Sequence, residues 1–257
     1  MNSRERVLLA LDHREPDRVP RDLGGTESSG MTAHALISLQ NHLGIQQAPR
    51  VFEPYQYVAS TPEAVRDRFG IDTANLMRGP RRWTERHNPY GFDALLAANW
   101  NEEEHPDAAT VVRGEDGVVS ARRPEGGFYF EPVNPPLEGV TRAGELKGYA
   151  ETIFSFDDPD YADEPLEDLR ERSRDMQARG DCVVFNLCCH ILAAGQLLRG
   201  YENFMVDLMT DEVLVREMFD YLLEGYFRRI ERLAPLLRET VDVVLLNDDL
   251  GTQKGPM

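Results

Sequence analysis

The sequence is poor in positive charge. Lysine and arginine total 28 residues, whereas aspartate and glutamate total 45, and the formal net charge is -17 at pH 7. Proteins that bind nucleic acid or an anionic membrane surface need a basic face, because both partners carry phosphate groups. The charge balance therefore argues against nucleic-acid and membrane partners, and it favours a protein with a solvated acidic surface.

Cysteine and long apolar runs are also scarce. The three cysteines, Cys182, Cys188 and Cys189, are odd in number and clustered, which is not typical of a disulfide framework. No apolar run approaches the roughly 20 residues of a membrane span. Residues 1–18 carry too many charges for a secretory signal. We expect a cytoplasmic protein in a reducing compartment.

What is present is an alternation of helical patterns with short apolar runs. Strands are predicted over residues 18–25, 71–77, 181–186 and 241–246. Helices are predicted to begin at Asn2, Thr61, Leu166 and Asp211, with one more over residues 36–43. Pro20 is a warning in the first strand, and Pro235 is expected to kink or divide the last helix. Strands separated by helices predict a parallel sheet.

Residues 80–140 break this alternation. The segment is rich in proline, holds both tryptophans and contains the hairpin signal Asp116-Gly117 between two β-branched runs. We interpret it as a β-hairpin insertion within a single domain that covers residues 1–257.

In parallel α/β folds, the functional site forms where the strands end. The first predicted strand ends in Gly24, Gly25 and Thr26. These residues either let the backbone approach an anion or form a plain turn. They are not part of a P-loop, because no Gly-Lys-Ser/Thr follows.

The third and fourth predicted strands end in more reactive residues. Cys188 and Cys189 are adjacent, which does not suit one tetrahedral zinc ion, whereas His190 is placed to donate to a substrate. In Asn247-Asp248-Asp249, neighbouring side chains point to opposite faces, so one acid faces the pocket. The other is expected to cap the next helix or bind a basic neighbour. The isolated histidines are interpreted as surface or packing residues: His34, His42, His87 and His105.

Three stretches together resemble a known family. They are residues 4–11 (RERVLLAL) with 16–20 (PDRVP), residues 198–204 (LRGYENF) with 207–208 (DL), and residues 247–253 (NDDLGTQ). In this order they are similar to the uroporphyrinogen decarboxylase superfamily, which includes the haem-pathway decarboxylase and methyltransferases that work with methylated corrinoid proteins. The resemblance runs from end to end of the chain. It implies a (β/α)8 TIM barrel with its pocket at the carboxyl mouth.

Departures from the family pattern distinguish its branches. The decarboxylase carries arginines after its first strand, where this chain has residues 21–27 (RDLGGTE), and an aspartate after its second, where this chain has residues 74–77 (ANLM). A tyrosine of its third unit falls near Gln196. Without the arginine pair, the bidentate grip on a polycarboxylate substrate is missing.

The methyltransferase branch is more similar at Asp248 and Asp249. In that branch, the resemblance implies a zinc ion that lowers the pKa of the thiol that accepts the methyl group. Its His-x-Cys ligands belong to the second half of the barrel, and this chain has no such motif. Zinc is therefore expected to be held outside this chain.

The count of strands suggests part of a barrel. Four core strands are predicted where a (β/α)8 barrel needs eight. We expect the chain to cover only the first four β/α units of a longer protein. Unpaired strand edges and a bare apolar face would then favour pairing with a second copy.

The leading prediction is an enzyme that transfers a methyl group from a methylcorrinoid protein, or a related donor, to a thiol. The four β/α units of this chain alone are expected to be inactive. The alternatives are decarboxylation of a uroporphyrinogen-type tetrapyrrole and a non-catalytic half-barrel that binds a partner or a tetrapyrrole. Asp248 and Asp249 are predicted to be catalytic. The predicted substrate-binding residues are Asn247, His190, Gln196, Gly24, Gly25 and Thr26.

Overall fold

The fold is that of a computed structural model of the chain. The structure describes residues 1–88, 90–107, 109–114, 117–156, 164–252 and 255–256, with the backbone alone for Thr252 and Pro256. Eight α-helices lie in these residues: α1 (Ser3–Leu11), α2 (Ala33–Leu43), α3 (Glu63–Phe69), α4 (Ala150–Phe154), α5 (Leu166–Ala178), α6 (Leu192–Arg199), α7 (Tyr201–Thr210) and α8 (Glu212–Thr240). A 3-10 helix, Ala143–Tyr149, leads into α4. Among the described helices, none combines the length and apolar character needed to cross a membrane.

The same residues contain fourteen short strands. They are β1 (Met31–Thr32), β2 (Val51–Glu53), β3 (Val58–Ala59), β4 (Thr73–Asn75), β5 (Trp83–Asn88), β6 (Phe92–Ala97), β7 (Glu102–Glu104), β8 (Thr110–Arg113), β9 (Val119–Arg123), β10 (Glu131–Pro132), β11 (Cys182–Asn186), β12 (Val243–Leu245), β13 (Gly251–Thr252) and β14 (Gly255–Pro256). They form five separate sheets, and none of these closes into a barrel within the described part of the chain. The (β/α)8 barrel therefore stays a prediction.

Three strands from distant parts of the chain form one parallel sheet. β11 lies in the centre, with β4 on one side and β12 on the other. Val184 is in register with Asn75 of β4 and with Val243 of β12. The second, third and fourth predicted strands are thus confirmed, and they lie side by side in chain order, as consecutive strands usually do.

The first predicted strand, over residues 18–25, is wrong. These residues are all described, and they form no strand. One backbone hydrogen bond, from the Asp72 N–H to the Arg21 carbonyl oxygen (2.8 Å), places the segment beside β4. Pro20 has no N–H to donate to a ladder. The Asp22 side chain accepts a backbone N–H three residues on, and this turn ends the extended run.

Most helices begin and end near the predicted residues. Asn2 and Glu5 form a capping box at the start of α1, with hydrogen bonds of 2.8 and 3.0 Å. The residue at the cap of α3 is Pro62 and not Thr61, because Pro62 is still extended and the helix begins after it. Pro235 does not divide α8, which continues past it with buried apolar side chains on both sides of the proline.

The insertion is larger than the single predicted hairpin. β5 and β6 form one antiparallel pair, and β7 to β10 form a four-stranded antiparallel sheet. The predicted turn joins β8 and β9, with Gly117 at a φ of 78°; Asp116 lies outside the described residues. Buried side chains from α2, from the β-sheets and from the loop before β10, such as Leu36, Leu96 and Phe130, give this region a core of its own.

One face of the parallel sheet is closed by helices. Val183, Phe185 and Leu187 of the β11 segment pack against Leu169 of α5 and Leu233 of α8. Each such side chain contributes about 1.5–3 kcal/mol by leaving water. We call this the outer face. The opposite, inner face is the one that can line a site.

β12 is an edge strand in the described residues. Val244 and Leu246 are exposed there, although Val244 is in register with the buried Phe185 and so lies on the outer face. Pairing of this edge with a second copy of the chain stays a prediction.

Candidate functional site

The inner face of the parallel sheet follows from strand register. Residues in register share a face, and successive side chains alternate between faces. Thr73 and Asn75 of β4 are in register with Cys182 and Val184 of β11, and Asn186 lies two positions further along. These side chains therefore occupy the inner face, away from the helices.

Amide side chains collect at the carboxyl end of this face. Asn75 is the last residue of β4, and Asn186 is the last residue of β11. Asn186 is in register with Leu245, the last residue of β12, and Asn247 follows two residues later. Three adjacent parallel strands thus each deliver an asparagine to the same edge of the sheet.

Glu27 reaches this edge from the loop that follows Gly25. Its Oε2 accepts a hydrogen bond from Asn186 Nδ2 at 2.7 Å. Asn186 is only 9% exposed, and its Oδ1 accepts the Cys188 N–H at 3.0 Å, so both ends of this amide are used. Glu27 Oε1, in contrast, is buried and has no hydrogen-bond partner among the described residues. Leaving a carboxylate oxygen buried in this way costs free energy.

Other polar atoms of this part of the molecule are also buried without hydrogen-bond partners. Both amide atoms of Asn75 and the Oδ1 of Asn247 are buried without a partner in the described ranges, as is Nε2 of Gln196 on α6. Native proteins bury few unpaired polar atoms, and a water or a ligand is the usual partner. We call Glu27, Asn75, Asn186 and Asn247 the strand-end site. The predicted substrate-binding roles of Asn247 and Gln196 stay predictions.

Close packing explains the two glycines that precede Glu27. A Cβ on Gly25 would lie 2.8 Å from the Thr73 hydroxyl oxygen. Gly24 has a φ of 78°, and its Cβ would lie 2.2 Å from another threonine hydroxyl. Thr26 donates its N–H to the serine three residues on, at 3.2 Å. The loop therefore needs glycine to lie against β4 and to present Glu27 at the strand end.

The pKa of Glu53, at the end of β2, is influenced by the charge of Glu27. Burial raises the pKa of Glu53 above its ordinary value of 4.5. Hydrogen bonds from the N–H groups of Gln56 and Tyr55 oppose this, at 2.8 and 2.9 Å, and the charge of Glu27 raises the pKa further. The carboxyl group of Glu53 thus lies close enough to Glu27 for the two to interact electrostatically.

Asp248 has a structural role in this geometry. Its carboxylate accepts the N–H groups of Ile191 (2.9 Å), Leu192 (2.8 Å) and Ala193 (3.0 Å) at the start of α6. Burial opposes ionisation, but these hydrogen bonds outweigh it and hold the pKa of Asp248 below its ordinary value. One of the two acids was predicted to cap the next helix along the chain. Asp248 does cap a helix, but this helix is α6, which precedes β12. Asp249 is exposed. The catalytic roles of both acids stay predictions.

The loop between β11 and α6 is held from α8. The Arg229 guanidinium donates to the carbonyl oxygens of Cys188 (2.9 Å) and of the residue before it (3.2 Å). The Tyr226 hydroxyl donates to the carbonyl oxygen of His190. These bonds fix the loop that carries Cys188, Cys189 and His190, and they leave the predicted role of the His190 ring untested.

The described residues do not offer a fit for zinc. No group of three His, Cys, Asp or Glu side chains among them is arranged to hold a metal ion. The Cys188 and Cys189 thiols donate to backbone carbonyl oxygens at 3.9 and 3.5 Å. Burial raises the pKa of the Cys182 thiol to about 12, so it is no thiolate at neutral pH. No zinc-dependent step is assigned to this chain.

The amino ends of the same three strands have a different chemistry. An aspartate stands directly before each strand: Asp72 before β4, Asp181 before β11 and Asp242 before β12. The Asp72 side chain is fully buried and pairs with Arg6 at 2.6 Å and with Arg18 at 2.7 Å. A buried acid is tolerated here because two guanidinium groups neutralise it.

The other two aspartates are paired as well. Asp181 pairs with Arg66 and Asp242 with Arg4, each at 2.6 Å. A cavity of about 420 Å³ opens at this end of the sheet. The three arginines that line it, Arg18, Arg66 and Arg179, are all paired with aspartates. These ion pairs already serve the fold, although Arg66 Nε is buried without a partner in the described part of the chain.

Sequence reasoning missed Glu27, Asn75 and Asn186. A signal existed for the two asparagines, because each is the polar residue that ends an apolar strand. Glu27 had no such signal, because its partner lies 159 residues further along the chain.

None of the protein-family models, curated proteins or solved structures with which the chain was compared matches it. The resemblance to the uroporphyrinogen decarboxylase superfamily therefore rests on the order of its motifs and stays a prediction. The geometry itself defines an α/β protein with a parallel sheet and a polar site at the carboxyl ends of its strands.

Proposed function

We propose that this chain belongs to an enzyme that transfers a methyl group from a methylcorrinoid protein to a thiol, and that the strand-end site binds the thiol substrate. The observation that carries the proposal is the buried, unpartnered oxygen of Glu27 among the asparagines of three strand ends. The reaction class comes from the motif resemblance. The position agrees with the rule that parallel α/β folds bind ligands where their strands end.

The donor and acceptor types of the site suit such a substrate. The thiol must lose its proton before its sulfur attacks the methyl carbon, and Glu27 Oε1 is the acceptor in the proposed step. The sulfur–carbon bond then forms while the cobalt–carbon bond breaks, and its electron pair stays on cobalt. The amides of Asn75 and Asn247 hold the polar part of the substrate, which makes the encounter effectively unimolecular.

Decarboxylation of a tetrapyrrole polycarboxylate receives less support. The strand-end site presents a carboxylate and amides, which repel or weakly bind carboxylate groups. Arg18 and Arg66 lie at the other end of the sheet, where they are paired with aspartates. No observation at the described strand ends favours this alternative.

A direct test uses the complete barrel in which we propose this chain to lie. That protein is mixed with methylcobalamin and 2-mercaptoethanol, and the visible absorbance, which changes when cobalt loses its methyl group, is followed. We expect thiol-dependent methyl transfer. Glu27→Gln should lower its rate by about 100-fold, because it removes a general base. Glu104→Gln, at an exposed position at the end of β7, is the matched control and should keep the wild-type rate.

The outcomes separate the candidate functions. The proposal fails if the thiol is not methylated, or if Glu27→Gln transfers methyl groups as fast as the wild type. A shifted corrinoid spectrum without a methylated thiol would favour a binding module. Release of carbon dioxide from uroporphyrinogen would favour the decarboxylase.

A further inference from the structure

The insertion contains a buried arginine that the strand-end site does not use. Arg123, on β9, is 2% exposed. Its guanidinium lies over the rings of Phe130 and Tyr57, at 4.5 and 5.7 Å from their centroids. Its Nη2 donates to Glu102 at 3.1 Å and to Thr110 at 3.4 Å. Arg123 is therefore held rigidly on one side.

The other side of this guanidinium is unsatisfied. Arg123 Nη1 is buried and has no hydrogen-bond partner among the described residues. Glu102 already accepts the Tyr57 hydroxyl and the Trp100 indole N–H, both at 3.2 Å, together with Arg123 Nη2. A buried cationic nitrogen without an acceptor is costly. The partner that it lacks among these residues is a hydrogen-bond acceptor, such as an oxygen.

His34, on α2, contacts the Tyr57 ring, which this arginine also faces. Its Nε2 is buried and likewise unpartnered in the described part of the structure. Burial lowers the pKa of His34, and the positive charge of Arg123 lowers it further, so the ring is neutral at pH 7. Four aromatic rings lie within 4.6–5.6 Å of the His34 ring. They are Tyr57, Tyr90, Phe92 and Phe128.

Two of these rings connect the cluster with the surface. Tyr90 is 36% exposed and Phe128 is 51% exposed. Their rings stack with centroids 5.1 Å apart, and both contact the edge of His34. Behind them, Tyr57 is buried with a φ of 60°, which is rare for a bulky residue. This conformation holds its ring within 6 Å of both His34 and Arg123.

We infer that this cluster is a second binding site, which takes a small carboxylate with an aromatic body. The ligand carboxylate accepts hydrogen bonds from Arg123 Nη1 and His34 Nε2, the two buried nitrogens that lack partners. The ligand ring packs against Tyr90 and Phe128 at the surface. This site lies between α2 and the insertion, and it does not depend on the reaction at the strand ends.

The test is a calorimetric titration of the whole chain with benzoate at pH 7. We expect saturable binding with one benzoate per chain. His34→Phe keeps the aromatic packing, and Arg123→Lys keeps the charge, and each should raise Kd at least tenfold because one hydrogen bond to the carboxylate is lost. Arg122→Lys is the matched control, because Arg122 pairs with Asp107 on the exposed side of the same strand; it should bind as the wild type does.

Benzyl alcohol has the same ring without the charge, and it should bind at least tenfold more weakly. Thermal unfolding confirms that each variant is folded, and if Arg123→Lys does not fold, His34→Phe decides. The inference is overturned if benzoate does not saturate the wild type, if benzyl alcohol binds equally well, or if His34→Phe binds benzoate with the wild-type Kd.

Discussion

The two ends of the parallel sheet differ in how their acidic and amide side chains are paired. At the amino end, Asp72, Asp181 and Asp242 are each paired with an arginine. At the carboxyl end, Glu27 and Asn75 keep buried atoms that have no partner among the described residues. The same three strands connect the two ends. The paired groups stabilise the fold, whereas the unpaired ones are open to a water or a ligand.

Charge density is therefore a poor guide to the site in this molecule. The amino end carries the arginines and the cavity of about 420 Å³. Arginines that line a cavity are typical of an anion-binding site. The cations here are already neutralised by Asp72 and Asp181. At the carboxyl end, in contrast, Glu27 Oε1 lacks a partner in the described chain. The pairing of the carboxylates separates the two ends, although Arg66 Nε at the amino end is also buried without a partner among the described residues.

The largest effect is expected at the amino end. Asp72→Ala should lower the free energy of unfolding by about 3–5 kcal/mol, because it leaves the buried Arg6 without one of its carboxylates. Urea unfolding followed by circular dichroism measures this loss. Glu212→Ala, which breaks the exposed Glu212–Arg216 pair, is the control and should leave stability nearly unchanged. A loss for Asp72→Ala no greater than that of the control would show that this end is not structural.

Acid should destabilise the protein through the same groups. Burial opposes the ionisation of Asp72 and Asp248, but hydrogen bonds from Arg18 to the first and from the start of α6 to the second hold both pKa values below 3.8. Because the folded pKa is the lower one, the unfolded state binds protons first as the pH falls. The stabilisation is present above about pH 5 and is lost as the pH falls through the folded pKa values.

Urea unfolding at about pH 7, 5 and 3 tests this dependence. The free energy of unfolding that the wild type loses on acidification should be smaller than the loss caused by Asp72→Ala, because a protonated carboxyl group still accepts hydrogen bonds. Asp248→Asn should make stability less dependent on pH below about 4, where the wild-type group takes up its proton. A wild-type stability that stays constant down to pH 3 would contradict the assignment.

At the carboxyl end, replacing Asn186, whose amide atoms are both hydrogen-bonded, should lower the free energy of unfolding by less than Asp72→Ala does. Asn186→Leu has a similar shape but removes the hydrogen bonds to Glu27 and to the Cys188 N–H. It should lower the free energy of unfolding by about 2 kcal/mol, because a hydrogen bond to a charged group is lost and Glu27 keeps no partner. Chemical unfolding measures the loss. A neutral result would mean that Glu27 finds another donor.

The parallel sheet could be predicted because its strands are short, apolar and separated by amphipathic helices. β4, β11 and β12 all fall within predicted runs. The segment of residues 18–25 reads as a strand by composition, but Pro20 and the turn at Asp22 prevent a ladder. Local patterns thus identified three of the four predicted strands. The fourth prediction was wrong because a proline and a local turn prevent strand pairing there.

The candidate site was only partly predictable. The strand ends after β11 and β12 and the glycine loop were identified as site-forming, because parallel sheets place sites there. Local sequence could not show that Asp248 caps the preceding helix α6 or that Glu27 meets Asn186, since both contacts join distant parts of the chain. His34, interpreted as a surface or packing residue, lies in a ring cluster assembled by the insertion.

The central claim is that the polar groups of the strand-end site are left unpaired for a ligand, and Asn75→Leu tests it most directly. Asn75 and Asn186 both end strands of the parallel sheet, but only Asn186 has both amide atoms paired in the described residues. We predict that Asn75→Leu raises the free energy of unfolding by about 1 kcal/mol, because two unpaired buried atoms are removed. If Asn75→Leu instead destabilises the protein as much as Asn186→Leu, the two amides are equally engaged in the fold, and the carboxyl end is no different from the amino end.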